Sequence, residues 1–275
     1  MMYKSCKICD SNVQVIVDNY NLGQCNNCNL IFSLEKFSDE ELVKTYDNLY
    51  NKNVNSHYDV HTKYEHEKLL KGELPRIGYN RKKIIDTFIK NKSSEILEVG
   101  SGVGLIASYL KTKGITKYLG LEIDTITCKK AKNLGFNVLN KDFKHMDVIE
   151  DEFDFVMLWE VLEHLQDLDS FLSLSHQKLK KNGVLMFSVP NFDKRDNYKD
   201  NANKIYQDAP PIHLNFFNRN NLNKILPNYG FKIEYLYIKK RPYLNFKSLH
   251  FYKMLLSSMI GTYRGSSIYV AAKKI

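Results

Sequence analysis

The sequence predicts an α/β protein, a doubly wound and mostly parallel sheet preceded by a short cysteine-bearing unit and a polar connecting segment. Three observations carry this. Short, nearly all-apolar runs alternate with helix-like stretches between residues 76 and 190, as parallel strands covered on both faces require. The first run ends in an acid and then Gly100, Gly102 and Gly104. Two C-x-x-C pairs, Cys6/Cys9 and Cys25/Cys28, lie near the amino terminus. The boundaries read as 1–33, 34–75 and 76–275.

Fifteen residues separate Cys9 from Cys25. This is zinc-ribbon spacing, in which each pair forms a knuckle and four thiolates close a tetrahedron. Four cysteines leave no open position for water, so the zinc is expected to be structural, and it would supply the folding energy that so short a segment lacks. A redox motif or two disulfides would use the same residues. The βαβ context of the former is absent, and no secretory signal precedes Cys6. Residues 1–30 carry Lys4 and Lys7 against Asp10 and Asp18, so the electrostatic footprint of a nucleic-acid binder is missing. Cys128, left over in a helix-like stretch, reads as a small packing residue.

In the connecting segment, Phe37-Ser38-Asp39-Glu40-Glu41-Leu42 reads as a capped helix start. Tyr46, Tyr50, Tyr58 and Tyr64 follow among polar residues, as expected of a mobile lid. His57 and His61 could share a helix face as metal ligands, but no third ligand accompanies them, and a polar lid face is the plainer reading. Arg76 to Ile89 reads as an amphipathic helix with Ile84, Ile85 and Phe88 inward.

Ile96, Leu97 and Val99 supply the first strand. The glycines after it let the backbone turn tightly and approach a ligand, and the helix-like stretch Val103–Lys111 would aim its first N–H groups at that ligand. A phosphate loop would need a Gly-Lys-Ser/Thr end, and the dinucleotide fingerprint would place its third glycine one residue later. Glu98, two residues before the first glycine, repels pyrophosphate and suits a cation. This E-x-G-x-G-x-G run resembles the nucleotide loop of class I S-adenosylmethionine (SAM)-dependent methyltransferases.

Lys117 to Ile123 is a second apolar run, ending at Glu122, an acid placed to accept both hydroxyls of a ribose, with Asp124 a weaker competitor. A helix over Thr125–Leu134 closed by Gly135, and a third strand over Phe136–Leu139, lead to Asp142-Phe143. In the family an acid here resembles the group that binds the adenine amine, with the next residue packing on the ring; a plain helix N-cap explains Asp142 equally well. The fourth strand, Phe153–Leu158, runs into Trp159-Glu160-Val161-Leu162-Glu163-His164-Leu165, which resembles the family's "FD-x-V … EVLEH" signature. Leucines at helical spacing follow, with a stop expected at Asn182-Gly183. Val184–Val189 is the fifth strand. Gly100, Glu122, Asp142, Trp159 and Pro190 all fall at carboxyl ends of strands, where such sheets bind ligands.

Beyond a polar loop over 193–208, Ala209–Phe217 resembles the "P-x-x-H-x-x-x-F" element of quinone- and sugar-modifying methyltransferases. A short helix over Asn221–Tyr229 is expected to break early at Pro227. Phe231–Ile238 and Ser267–Ala272 are strand-like, and the resemblance makes them the antiparallel pair completing a seven-stranded Rossmann-like sheet. The insertion between them, 239–266, holds an apolar helix over Leu249–Ile260 that is too short to cross a bilayer. It could pack on the sheet, line the acceptor site or make a homodimer contact.

The resemblance implies SAM as cofactor, with Glu98, Gly100, Ser101, Gly102, Gly104, Glu122, Ile123, Asp142, Phe143 and Trp159 as its binding residues. Methyl transfer to a hydroxyl also calls for a base. His213 is the first candidate, then His164 and Glu160. Structural hydrogen bonding would explain either histidine as well. The N/D-P-P-Y/F motif of many amino-group methyltransferases is absent, and so is the extra carboxyl-terminal domain of the longer sugar C-methyltransferases. O-methylation of a sugar hydroxyl is therefore expected. Sugar C-methylation and quinone or phenol O-methylation are the nearest alternatives; a zinc-ribbon RNA methyltransferase or a non-catalytic SAM-fold partner are more distant ones. The 275 residues carry a net charge of +9, which favours an anionic small-molecule or saccharide substrate, although the lysines are spread along the chain. No amino-terminal apolar stretch or membrane-crossing run is present, so a cytoplasmic protein is expected.

Overall fold

The computed structural model describes residues 1–50, 57–197, 209–240, 242 and 246–275. The amino-terminal part forms β1 (Val13–Val17), β2 (Leu22–Cys25) and β3 (Ile31–Ser33). Helices α1 (Asp39–Tyr50) and α2 (His57–Leu70) follow, then α3 (Tyr79–Phe88). The alternating region is β4 (Ile96–Val99), α4 (Leu105–Thr112), β5 (Tyr118–Leu121), α5 (Thr125–Asn133) and β6 (Val138–Leu139). It continues as β7 (Phe153–Trp159), α6 (Leu168–Lys178) and β8 (Leu179–Pro190). The chain closes with β9 (Asn215–Phe216), α7 (Arg219–Asn228), β10 (Phe231–Ile238), α8 (Leu249–Met259) and β11 (Ser267–Lys274).

Seven strands form one sheet in the order β10-β11-β8-β7-β4-β5-β6. β4 to β8 are parallel, and β11 runs antiparallel between β8 and β10. The strand alternation divides the core in two. Leu97, Val99, Val156, Leu158, Leu185 and Phe187 pack on one face with α6 and α7 residues. Ile96, Phe155, Met157, Trp159 and Met186 pack on the other with α3, α4 and α5. Glu98 is fully interior on its strand, and by parity it shares the second face.

Local signals explain most boundaries. Ser38 and Glu41 form the expected capping box, Ser38 N–H donating to Glu41 Oε2 at 2.7 Å. Asp124 caps α5 by accepting the Thr127 N–H at 2.7 Å, which spends this residue on the helix. Cys128 is buried in the core. The chains of His57 and His61 fall in α2, but their side chains lie outside the described residues.

Three expected boundaries move. Helix α6 stops at Lys178 instead of Asn182-Gly183, and β8 begins at Leu179. The Lys178 ammonium is drawn inward to the carbonyls of Asp147 and Ile149, and Leu179 already pairs with Phe153. Residues 180–183 then bulge out before Val184 pairs with Phe155. The third strand shrinks to Val138–Leu139 because Phe136 turns its ring under Gly104. Helix α7 tolerates Pro227 in its last turn and runs to Asn228; its start is fixed by a capping box between Asn218 and Asn221.

The amino-terminal strands do not form a sheet alone. Their sheet runs β1-β2-β3-β9, its fourth strand coming from residues 215–216. Cys6, Cys25, Cys28, Leu30 and Phe32 share one core cluster with Leu222, Ile225 and Leu226 of α7.

Candidate active site

The glycine bend after β4 is left-handed at each glycine, with φ of 71° at Gly100, 56° at Gly102 and 88° at Gly104. Other residues adopt this backbone only with strain. Two of the glycines also have no room. A Cβ on Gly100 would stand 2.6 Å from Val161 Cγ2, and one on Gly104 would stand 2.4 Å from the Phe136 ring. At Gly102 a Cβ would meet nothing within 4 Å. The bend is thus packed from behind by two side chains and open at its middle, as a backbone cradle for a ligand must be.

Glu122, at the end of β5, clasps this bend. Its carboxylate accepts the Gly102 N–H at 2.8 Å and the Asp124 N–H at 2.9 Å. Those bonds leave part of the carboxylate's acceptor capacity unused. Burial raises its carboxyl above the usual range, while the backbone N–H groups pull it down. Asn140 braces the same strand end by donating to the carbonyls of Glu122 and Ile123 at 2.9 and 2.8 Å. The side chain of Ile123 is 57% exposed.

Glu98 is 2% exposed and accepts from the Tyr118 hydroxyl at 2.5 Å. Burial pushes its carboxyl up to about 8, opposed by the Tyr118 hydrogen bond and the charge of Arg81. Ser101 is buried beside it in the bend, where its side chain lies against Gly120. The Arg81 guanidinium reaches from α3 to stand 5.7 Å from the centroid of the Trp159 ring. Trp159 is buried, and its indole N–H finds no acceptor among the described residues. A buried indole N–H usually finds a partner.

Asp142 caps a short 3-10 turn, accepting the Lys144 N–H at 3.0 Å. The ring of Phe143 is 7% exposed and meets Phe171 edge-on at 5.5 Å. It packs in the core cluster that includes α6.

The signature after β7 and the loop before β9 meet face to face. His164 and His213 have ring centroids 4.7 Å apart at 79°. His164 Nδ1 lies 2.7 Å from the Ile212 carbonyl. A carbonyl only accepts, so Nδ1 is the donor, while Nε2 lies 3.9 Å from Glu163 Oε1. His213 is 6% exposed. The loop that bears it is pinned by Leu214 N–H on the Glu163 carbonyl at 2.7 Å and by Asn215 Nδ2 on the Leu162 and Leu165 carbonyls at 3.0 and 2.7 Å. Ligand atoms of Glu163, His164 and His213 all lie within 4.8 Å of one another. Such a group can pass a proton or hold a divalent cation. Glu160 is outside this trio; it adopts a left-handed φ of 54° and its N–H bonds the Ser188 carbonyl at 2.9 Å.

The four cysteines form a second cluster. Cys6 Sγ and Cys28 Sγ are 3.6 Å apart, Cys9 Sγ and Cys25 Sγ 3.5 Å. Zinc–sulfur bonds of ~2.3 Å would put tetrahedral sulfurs ~3.8 Å apart, so the group suits a chelated metal. Both knuckles have one geometry. Asp10 and Asn29 follow their pairs with φ of 54° and 61°, and each donates its N–H back to the first cysteine's carbonyl, at 2.9 and 3.1 Å. The Cys28 hydrogen bond draws the Cys6 thiol down to about 5, and the same shared proton raises Cys28.

A profile of the methyltransferase domain matches residues 69–236, more than half of the chain and all of the glycine bend, Glu122 and both histidines. The chain belongs to this methyltransferase family. Among curated proteins it is 30% identical over 128 residues to the ubiquinone biosynthesis O-methyltransferase of Pelagibacter ubique, covering 42% of this chain and 52% of that one. The chain spans about half the length of the curated relatives it matches. Among solved structures, an SAM-dependent methyltransferase from Archaeoglobus fulgidus superposes with a TM-score of 0.56 at 21% identity, over 80% of this chain and all of that one. A phosphoethanolamine N-methyltransferase of Haemonchus contortus in complex with SAM gives 0.58 at 17%, over 89% of this chain and 61% of that one. These two likenesses concern the methyltransferase fold.

Sequence reasoning missed Glu163 and Arg81. Glu163 stands in the same signature as Glu160, but only the 3-10 turn over Leu162–His164 decides which acid faces the histidines. Arg81 carries no local signal, since its approach to Trp159 depends on how α3 packs.

Proposed function

We propose that this protein is an SAM-dependent O-methyltransferase acting on a small, quinone- or phenol-type acceptor. The observation that carries the reading is the convergence of the glycine bend, Glu122 and the His164–His213 pair on one edge of the sheet. The names of the curated relatives favour a quinone-type hydroxyl over the sugar hydroxyl expected from sequence. The +9 charge is the remaining support for an anionic sugar.

In this reading Glu122 takes the ribose hydroxyls and the open side of the bend at Gly102 faces the methionine end. Glu98 and Arg81 meet its ammonium and carboxylate, and Asp142 and the Trp159 indole N–H serve the adenosine side. When bound, SAM supplies an activated methyl group on a sulfonium. The protein's own work is to hold the acceptor oxygen in line, worth up to roughly 7–11 kcal/mol, and to remove its proton. His164 Nε2 is the receiving atom, held in the right tautomer by the Ile212 carbonyl, and His213 packs against it to fix the ring. The cysteine cluster holds a structural zinc that stiffens the loop bearing His213.

Calorimetric titration with SAM tests the cofactor, and binding no tighter than millimolar would end the enzyme reading. Mass spectrometry of methyl incorporation then separates acceptors. Catechol- and hydroquinone-type compounds are expected to gain one methyl group. Methylation confined to nucleotide sugars would return the acceptor to the sugar class. Loss of activity on chelation, with the cysteine-bound metal retained, would assign Glu163, His164 and His213 to a divalent cation acting on the hydroxyl.

A further inference from the structure

Residues 239–266, between β10 and β11, have a composition unlike the rest of the chain. They contain six Lys or Arg residues, and from Tyr235 to Ile275 there is no Asp or Glu. Helix α8 is anchored by one buried side chain, Phe251, 2% exposed, which meets Phe246 edge-on at 5.4 Å. The other side of the helix is apolar and uncovered. Leu249, Tyr252, Leu256 and Met259 recur at helical spacing with exposures of 83, 49, 63 and 77%, and Phe246 and Ile260 extend the stripe at 67 and 69%. Lys247, Lys253 and Arg264 are exposed around it.

The place of this helix in the fold matters. Ser267 pairs with Pro190, and Asn191 donates its Nδ2 to the Gly265 carbonyl at 2.8 Å and its N–H to Ser266. Asn191 also bridges Phe217, at the end of the loop bearing His213. The insertion therefore rises from the same edge as the acceptor side of the site.

We propose that α8 and its flanking cations form a docking surface for an anionic lipid bilayer, the helix lying in the headgroup layer with Leu249, Leu256 and Met259 among the acyl chains. An amphipathic helix with an apolar stripe and surrounding cations has the chemistry of an interfacial anchor. Eleven residues allow it to lie on a bilayer and not to cross one; no helix among the described residues is long and apolar enough to cross. A second copy of the chain fits worse, because a symmetric contact through this face would bring two acid-free, cationic insertions together. A nucleic acid would answer the cations and leave the Leu249–Met259 stripe in water. The inference stands independently of the acceptor's identity.

The test is co-flotation of the full chain with vesicles of phosphatidylcholine alone and of phosphatidylcholine with about one third phosphatidylglycerol. The protein is expected to float with the anionic vesicles, to release in high salt and to ignore the neutral ones. The double variant L256E/M259E is expected to lose at least about tenfold in vesicle affinity, with SAM binding and melting temperature unchanged. Equal partition onto both vesicle types, no partition at all, or undiminished binding by the variant would overturn the proposal. So would a dimer seen by light scattering that the double variant dissociates.

Discussion

The Ser33 backbone N–H donates to the Leu214 carbonyl at 2.9 Å. Ser33 ends the third ribbon strand, and Leu214 follows His213. Through this bond and the β3–β9 pairing, the cysteine cluster and the histidine pair become parts of one construction. The amino-terminal strands are the floor against which the loop of His213 is laid.

Metal removal should therefore reach the chemistry. One zinc per chain is expected by elemental analysis of protein purified under reducing conditions. Cys28→Ser should lower metal content and melting temperature, because a structural zinc contributes folding energy directly. Methyl transfer should fall further than SAM affinity does, since the glycine bend and Glu122 lie on the far strands of the sheet. Equal losses in turnover and SAM binding would show the ribbon to be a general stabiliser only.

Replacing His164 by Ala should lower kcat by about 10²–10⁴-fold, the usual worth of a positioned base, with the SAM dissociation constant unchanged; His213→Ala, which removes the packing of that ring, should lower kcat by less. His164→Asn tests the tautomer: it keeps a donor toward the Ile212 carbonyl but has no basic nitrogen. Steady-state kinetics and calorimetry of the same variants check both statements. Glu160→Gln is expected to fall well short of these losses.

Glu122→Ala should weaken SAM binding by roughly tenfold to a hundredfold, as loss of hydrogen bonds to a charged acceptor costs about 1.5–3 kcal/mol. It should also loosen the bend, because the Gly102 N–H loses its acceptor. Calorimetry reports the first effect, and hydrogen exchange at the Gly102 amide the second.

The glycines separate packing from access. Gly104→Ala puts a methyl group against the Phe136 ring at a φ of 88°, and should cost about 2–4 kcal/mol of stability. Gly102→Ala meets open space, so it should cost only about 1–2 kcal/mol of backbone strain while impairing SAM binding more than Gly104→Ala does per unit of stability lost. Denaturant melts paired with SAM titrations decide this.

Glu98 imposes a pH dependence. Its carboxyl is raised to about 8 in the fold, so between the unfolded carboxylate value near ~4.3 and about 8 the folded state holds the extra proton. Stability of the ligand-free protein should fall across that window as pH rises, by up to ~1.4 kcal/mol per pH unit for one proton. Glu98→Gln should flatten this part of the profile. An unchanged slope in the variant would remove Glu98 as its source.

Much of this molecule is legible in one dimension. The glycine bend, the acid ending β5, the C-x-x-C knuckles and the parallel strands all rest on neighbours within a few residues. Tight turns need glycine, knuckles need cysteines three apart, and strands covered on both faces need unbroken apolar runs; such requirements leave their mark in the residues themselves. Boundaries that depended on distant partners moved. Lys178 ended its helix because carbonyls of Asp147 and Ile149 drew it in, and Phe136 left its strand to lie under Gly104.

The sequence by itself determined the sheet, the glycine bend at its carboxyl edge and the four-sulfur cluster, because backbone conformation and covalent spacing set them locally. Tertiary structure alone decided that Glu163 and not Glu160 joins the two histidines, that Arg81 stands over Trp159, that Phe143 belongs to the core, and that the amino-terminal sheet borrows a strand from residues 215–216. Each of these joins groups far apart along the chain, and only the packing of the apolar faces brings them within reach of one another.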